Sequence, residues 1–154
     1  MSNLNALWSI ILNKNQWLYQ VRIRVDENLS NALRAEDKTG TSGIIFSIAN
    51  THKLTPVCTY DAFRDYCLEA EQNTLDNYPL YEWTKQTIEN PQKAQKHKKS
   101  FAFYLDSEQV YEEELARSLF KDLKPLYENN LISEVKLIDS NPANNPQPPK
   151  NNKV

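Results

Sequence analysis

Alternating apolar and polar residues mark one clear strand near the start of the chain. Within 17–25, Val21 and Ile23 alternate with Arg22 and Arg24, which is the period of two expected of a half-buried strand. Two mostly apolar runs predict more deeply buried strands, and a final alternating stretch predicts one more near the end. The four predicted strands are 17–25, 44–48, 101–105 and 131–138.

Apolar residues at spacings of three and four predict helices elsewhere in the chain. The clearest helix is 108–124, which Pro125 should end because proline has no amide hydrogen to donate. The other predicted helices are 28–35, 59–72 and one that opens at Pro79. Residues 4–12 fit both a helical stripe and the first arm of a hairpin, and Asn13 and Asn15 favour the hairpin slightly.

The order of these elements predicts an α+β domain. Strands and helices form two β-α-β units, and such units pack as a small mixed or antiparallel sheet with helices on one face, the split β-α-β or ferredoxin-like layout. We expect this domain to cover 1–139. Residues 140–154 are rich in proline and asparagine, so we expect a disordered tail, with docking to a partner as the alternative.

The composition excludes several classes of protein. A net charge of −2 leaves no general basic excess for nucleic acid, and the apolar run near the N-terminus is too short to span a membrane. The two glycines, Gly40 and Gly43, lie together in one short stretch, which excludes the Walker and Rossmann phosphate-binding motifs. Two cysteines are too few for a disulfide framework, so we expect a cytoplasmic protein.

Residues that carry catalysis or bind metals form no convincing group. Cys58 precedes a predicted helix, where the pKa of a thiol can fall, and His52 lies six residues upstream. The pair is therefore a hypothesis for a reacting centre, although nothing in the sequence brings the two together. The acids Asp61, Asp65 and Glu69 form a straight helical row, which does not converge on a cation. We expect no catalytic residue, no metal site and no cofactor.

A basic run before the third predicted strand is a candidate binding site, expected to be a solvated loop. Its four lysines fall within seven residues and are Lys93, Lys96, Lys98 and Lys99. The six residues that follow from the last of them, Lys99-Ser-Phe-Ala-Phe-Tyr104, resemble the RNP1 signature of the RNA-recognition motif family. The resemblance implies that Phe101 and Phe103 stack on RNA bases. Packing in the protein core is the alternative, because both rings belong to an apolar strand.

Aromatic and arginine side chains provide the remaining candidates for binding. Tyr78, Tyr81 and Trp83 fall within six residues, and tyrosine, tryptophan and arginine are enriched at the centres of protein interfaces. Packing in the core and at its edge is the alternative; it explains Trp83 but leaves Tyr78 and Tyr81 without a role. Arg22 and Arg24 point away from the core face of their strand, towards either a ligand or a second layer of the protein.

These features predict a non-enzymatic protein-binding module of the inhibitor, immunity or adaptor type. The expected partner is another protein, which would contact Arg22, Arg24, the lysine run and the three aromatic residues. The alternative is a protein that binds single-stranded RNA through Arg22, Arg24 and the run 93–99. The oligomeric state stays open.

Overall fold

A computed structural model describes residues 17–151, so the ambiguous segment 4–12 lies outside the described residues. Within 17–151, four strands and six α-helices alternate along the chain. The strands are β1 (Tyr19–Arg24), β2 (Thr55–Cys58), β3 (Ser100–Tyr104) and β4 (Glu134–Asp139). The helices are α1 (Glu27–Arg34), α2 (Gly40–Thr51), α3 (Thr59–Gln72), α4 (Tyr81–Glu89), α5 (Pro91–Lys98) and α6 (Glu113–Glu128).

The four strands form one sheet in the order β2-β3-β1-β4, and every neighbouring pair is antiparallel. Ile23 of the central strand β1 therefore lies between Phe101 of β3 and Val135 of β4. The predicted α+β class with an antiparallel sheet is confirmed. The finer prediction of a ferredoxin-like layout is not confirmed, and three helices stand in the connection from β2 to β3.

One face of the sheet is buried under α1, α2 and α6. Val21 and Ile23 of β1 are almost completely inaccessible to solvent, because they pack against side chains of these three helices. The helices contribute Leu29, Leu33, Ile45, Ala49, Ala116, Leu119 and Leu123. We call the sheet with α1, α2 and α6 the sheet body.

The remaining helices, α3, α4 and α5, occupy residues 59–98 between β2 and β3 and pack against one another. We call them the helical insertion. Its most buried side chains are small or polar, and they are Thr59, Cys67, Ala70, Thr84, Thr87 and Ala94. Larger rings such as Phe63 and Trp83 are only half-buried at its surface.

The predicted strand 44–48 is wrong, because these residues belong to α2. Ser42, Ile45 and Ala49 recur at helical spacing and face the core, whereas Ile44 is exposed. A short apolar run does not by itself separate a strand from a buried helix. The strand in this region is instead β2, which has four residues and contains Pro56, a residue that weakens a strand prediction.

The lysine run is a helix, so the predicted loop at 93–99 is wrong. The side chain of Asn90 accepts hydrogen bonds from the amides of Gln92 and Lys93, and Pro91 occupies the first helical position. This is a strong helix start, since proline fits there and asparagine is a preferred cap.

The last helix begins and ends later than predicted, at Glu113 and Glu128 rather than at 108 and 124. Tyr111 exchanges two backbone hydrogen bonds with Tyr19, at 2.7 and 2.8 Å, which holds the residues before α6 against β1. Pro125 lies in the last turn, where its missing amide removes a single bond. Leu126 is buried and keeps that turn on the core.

Residues 140–151 follow β4 without forming a helix or strand. Ser140 donates a backbone hydrogen bond to Leu18, and Asn151 contacts the start of α4. The domain boundary at 139 and the disorder expected of 140–154 stay predictions. In the described part of the chain, no helix is both long and apolar enough to cross a lipid bilayer.

Candidate functional site

Phe101 and Phe103 lie on the buried face of the sheet, so the base-stacking role implied for them is wrong. Phe101 is paired with Ile23 and therefore shares its face, and the two phenylalanine rings are 2% and 0% exposed. Both rings belong to the hydrophobic core of the sheet body. Alternation along β3 leaves Ala102 and Tyr104 for the other face.

Arg22 and Arg24 lie on the opposite face of the sheet from the core, as predicted from their alternation with Val21 and Ile23. Arg22 is paired with Ala102 on one side and Lys136 on the other, near the middle of the sheet. Both arginines are half-buried.

The end of α5 is fastened to the end of β1, which brings part of the lysine run to the arginines. The amide of Val25 donates to the carbonyl of Lys99 at 2.9 Å. His97, on the last turn of α5, therefore lies close to β1. Burial lowers the pKa of His97, and the positive charges of four neighbours lower it further; these are Arg22, Lys96, Arg24 and Lys93. We call His97 and these four residues the cationic face.

Arg22 is the least satisfied member of the cationic face. Its Nη2 donates to Oε1 of Gln20 at 3.1 Å, but its buried Nε has no hydrogen-bond partner. Burial lowers its pKa; the neighbouring Tyr104 partly opposes this shift, and Arg24 adds to it. No carboxylate pairs with Arg22 among residues 17–151. A half-buried guanidinium of this kind normally has an anionic partner, because leaving a buried donor unpaired costs about 1–3 kcal/mol.

Arg24 is closer to an acid but is weakly paired. Its Nε lies 4.0 Å from Oε1 of Glu134 and makes no hydrogen bond, and its side chain is 40% exposed. The other carboxylate oxygen of Glu134 lies 3.6 Å from Nζ of Lys136, so Arg24 shares this distant carboxylate with a lysine. The cationic face can receive an additional negative charge.

Lys98 and Lys99 turn away from the cationic face to a separate cavity of about 120 Å³ between α1 and α5. Nζ of Lys98 lies 4.8 Å from the ring centre of Tyr60. Arg34, which also lines the cavity, makes a bidentate ion pair with Asp61 at 2.8 and 3.0 Å. The four lysines predicted as one site are therefore split into two pairs on different sides of α5.

The predicted aromatic residues make contacts within the helical insertion. Tyr78 packs edge-on against Tyr66, with ring centres 5.4 Å apart, and the hydroxyl of Tyr81 donates to Glu71 at 2.6 Å. These contacts account for rings that the sequence left without a role.

Trp83 connects the aromatic residues to the cationic face. It packs edge-on against Phe63, with ring centres 5.7 Å apart, and Phe63 lies 5.2 Å from the ring of His97. The order Trp83, Phe63, His97 thus runs from the helical insertion to the sheet. Sequence analysis missed His97 as a site residue, and its place between lysines was the available signal.

The structure does not bring Cys58 and His52 together as a reacting pair. Nε2 of His52 lies 2.7 Å from a carboxylate oxygen of Asp122 on α6. Sγ of Cys58 is buried and faces the backbone carbonyls of His97 and Lys98 at 3.7 and 3.6 Å. Burial raises the pKa of Cys58, which disfavours the thiolate. Within residues 17–151, no cluster of three histidine, cysteine or acidic side chains is placed to hold a metal ion.

A larger groove of about 600 Å³ lies between α2 and the start of β2, and none of the predicted site residues lines it. Lys38 covers the Phe46 ring in this groove, with Nζ 3.5 Å from the ring centre. The groove is open and has no group with an unmet charge of the kind seen at Arg22.

Comparison of the chain with models of known protein families, with curated proteins and with solved structures finds no match in any of the three. Function therefore has to be inferred from the arrangement of side chains, and the cationic face is the arrangement with the clearest unmet chemical need.

Proposed function

We propose that the protein is a non-enzymatic binding module that holds an acidic segment of another protein against the cationic face. The observation that carries this proposal is Arg22, a half-buried guanidinium whose Nε has no hydrogen-bond partner and which pairs with no described carboxylate. An incoming carboxylate would supply that partner and would meet the charge of Arg24 as well.

The geometry favours a protein partner over a nucleic acid. A recessed guanidinium suits a side-chain carboxylate, which can accept two parallel hydrogen bonds from it. Desolvated arginine surrounded by partly buried neighbours is also typical of residues that dominate protein interfaces. Phe101 and Phe103 cannot supply the aromatic stacking platform expected of an RNA-binding sheet, since both are buried in the core.

We infer that the scaffold is a split β-α-β sheet with the helical insertion added to it. In the order β2-β3-β1-β4, β3 separates β1 from β2, and β1 separates β3 from β4. Each separated pair is joined by helices, which is the defining feature of a split unit. A cytoplasmic location belongs to the same proposal and is supported by the two free cysteines, Cys58 and Cys67.

Selection of binding peptides from a random displayed library, with the full chain as bait, tests the proposal. We expect enrichment of peptides that carry two or more acidic residues. The variant Arg22→Gln should abolish that enrichment, whereas Lys121→Gln, which removes an exposed positive charge on α6, should leave it intact. Enriched peptides without acidic residues, or equal enrichment by Arg22→Gln, would contradict the proposal.

Binding of single-stranded RNA is the second candidate function, and one observation favours it. All four lysines of the run lie on or next to α5, which contains no acidic residue. Contacts to phosphates make affinity fall steeply with salt, and each lost contact reduces the slope of log K against log[salt] by about 0.7 for single strands. Titration of labelled single-stranded RNA into the wild type and Lys96→Gln measures this slope. Undetectable binding at low salt eliminates the RNA hypothesis.

A further inference from the structure

The chain's own C-terminal segment is bound at the start of α4 through Asn151. The backbone amide of Asn151 donates to the carbonyl of Pro79 at 2.6 Å, and its side-chain amide donates to the carbonyl of Tyr78 at 2.8 Å. Its side-chain oxygen accepts from the amide of Glu82 at 2.8 Å. One asparagine thus makes three hydrogen bonds to a segment about seventy positions earlier in the sequence.

These bonds supply a side-chain hydrogen-bond acceptor, which the start of α4 otherwise lacks. The residue before the helix is Leu80, whose side chain cannot accept a hydrogen bond from the first helical amides. Tyr66 instead accepts from the amide of Leu80 at 3.1 Å, and Asn151 accepts from the amide of Glu82. Asn151 therefore acts as the helix cap, although it belongs to a distant part of the chain.

The rest of the segment has the pattern of an extended proline-rich ligand. Asn145 belongs to the turn after β4, because it donates hydrogen bonds to the carbonyls of Asn141 and Asp139. Beyond this turn the half-buried positions are 148 and 151, and the positions between them are exposed. A spacing of three matches the three residues per turn of a polyproline II helix, the conformation that proline-rich ligands use on aromatic surfaces. The segment reaches the start of α4 at Tyr78, whose carbonyl accepts from Asn151 and whose ring packs edge-on against Tyr66.

We propose that the surface formed by Tyr66, Tyr78 and the first turn of α4 is a binding site for an extended proline-rich segment that carries an asparagine. Residues 145–151 are the intramolecular ligand of this site. The inference is independent of the cationic face, because it rests on the contacts and burial of the C-terminal segment and involves none of the cationic residues.

Hydrogen exchange of the Glu82 amide in the full chain tests the site directly. We expect Asn151→Ala to accelerate this exchange about fivefold, the factor that corresponds to loss of one typical helix cap. Gln147→Ala is the matched control, because Gln147 is exposed and bonds only within the tail. Unchanged exchange in Asn151→Ala overturns the proposal.

A synthetic peptide of residues 145–151 tests whether the surface recognises the segment as a ligand. Added to the full chain carrying Asn151→Ala at concentrations near 1 mM, about the effective concentration of a tethered ligand, it should restore slow exchange of Glu82. The same peptide with alanine in place of its asparagine should not. Failure of the asparagine peptide refutes ligand recognition, and protection that varies with protein concentration refutes the intramolecular arrangement.

Discussion

The sheet body and the helical insertion are built on different interiors. Large side chains close the core of the sheet body, and the most buried of them are Phe101, Phe103, Ile23, Ile45, Leu119 and Leu123. In the helical insertion the buried positions hold alanine, cysteine and threonine, while the rings of Phe63 and Trp83 remain half-exposed. Since stabilisation scales with apolar area removed from water, most of the free energy of unfolding resides in the sheet body.

The two regions also treat polar groups differently. In the helical insertion, the buried hydroxyls of Thr84 and Thr87 are satisfied within their own helix, by the carbonyls of Leu80 and Trp83 at 2.7 and 2.8 Å. On the face of the sheet that points away from the core, Arg22 has a buried donor without a partner. The region that carries the stability therefore also contains the least satisfied polar group, as expected where binding and stability compete.

The largest expected effect is that of Phe101→Ala in the sheet body. Removal of a fully buried ring should lower the free energy of unfolding by about 3–5 kcal/mol, from lost burial and the cavity left behind. Urea denaturation measures it as a fall in the midpoint at unchanged slope. Tyr127→Ala, which removes a ring that is 48% exposed, is the control and should change stability little. A small effect of Phe101→Ala would place the stability elsewhere.

Trp83→Ala should have a smaller and more local effect in the helical insertion. It removes the edge-on contact with Phe63 and part of a half-buried ring, so we expect a loss of about 2 kcal/mol. Hydrogen exchange followed by mass spectrometry should show faster exchange in 59–98 and little change in β1 and β3, because the insertion can open separately from the sheet body. Uniformly faster exchange would show that the two regions unfold as one unit.

Sequence patterns predicted elements of both regions correctly where the periodicity was unambiguous. The alternation around Val21 and Ile23 identified β1 and its faces, and the helix at 59–72 has the bounds observed. Where the predictions were wrong, contacts between distant segments had determined the structure. The α2 region fails as a strand prediction because Ile45 and Ala49 reach the core from a helix. In the first turn of α2 the Lys38 carbonyl approaches Gly43 so closely that a Cβ atom would overlap it. The pattern of hydrophobic residues does not reveal this constraint.

The candidate site was predictable in its parts and not in its arrangement. The arginines could be assigned to the non-core face of β1, because a period of two leaves little choice. The separation of Lys96 from Lys98 depends on α5, whose helical turn directs them to different sides, and the sequence was interpreted there as a loop. The contact between His97 and β1 depends on the long-range bond from Val25 to Lys99, which sequence does not encode locally.

Arg22→Met tests whether the unpartnered arginine on the non-core face of the sheet lowers the stability of the fold while serving binding. The change removes an unpartnered guanidinium and keeps an unbranched apolar side chain, so we expect a gain of about 1 kcal/mol in the free energy of unfolding. The same variant should lose enrichment of acidic peptides. Urea denaturation compared with Lys121→Met, which replaces an exposed charge, measures the gain. A destabilised Arg22→Met would show that the guanidinium has a structural role instead.

The smallest expected effect is a dependence of stability on pH that arises from His97, at the contact between the helical insertion and β1. Burial and the four surrounding cations lower the pKa of His97 in the folded protein, so the unfolded chain binds a proton at a higher pH than the folded one. Stability from this group is complete above the unfolded pKa of about 6.5 and is lost as pH falls below it. Urea denaturation between pH 7.5 and 5 should therefore show a shallower decline for His97→Gln than for the wild type. Equal declines would refute a buried, cation-surrounded His97.

A bound acidic peptide would oppose the same cations and raise the pKa of His97. Peptide binding should therefore strengthen as pH falls through this range, and His97→Gln should remove that dependence.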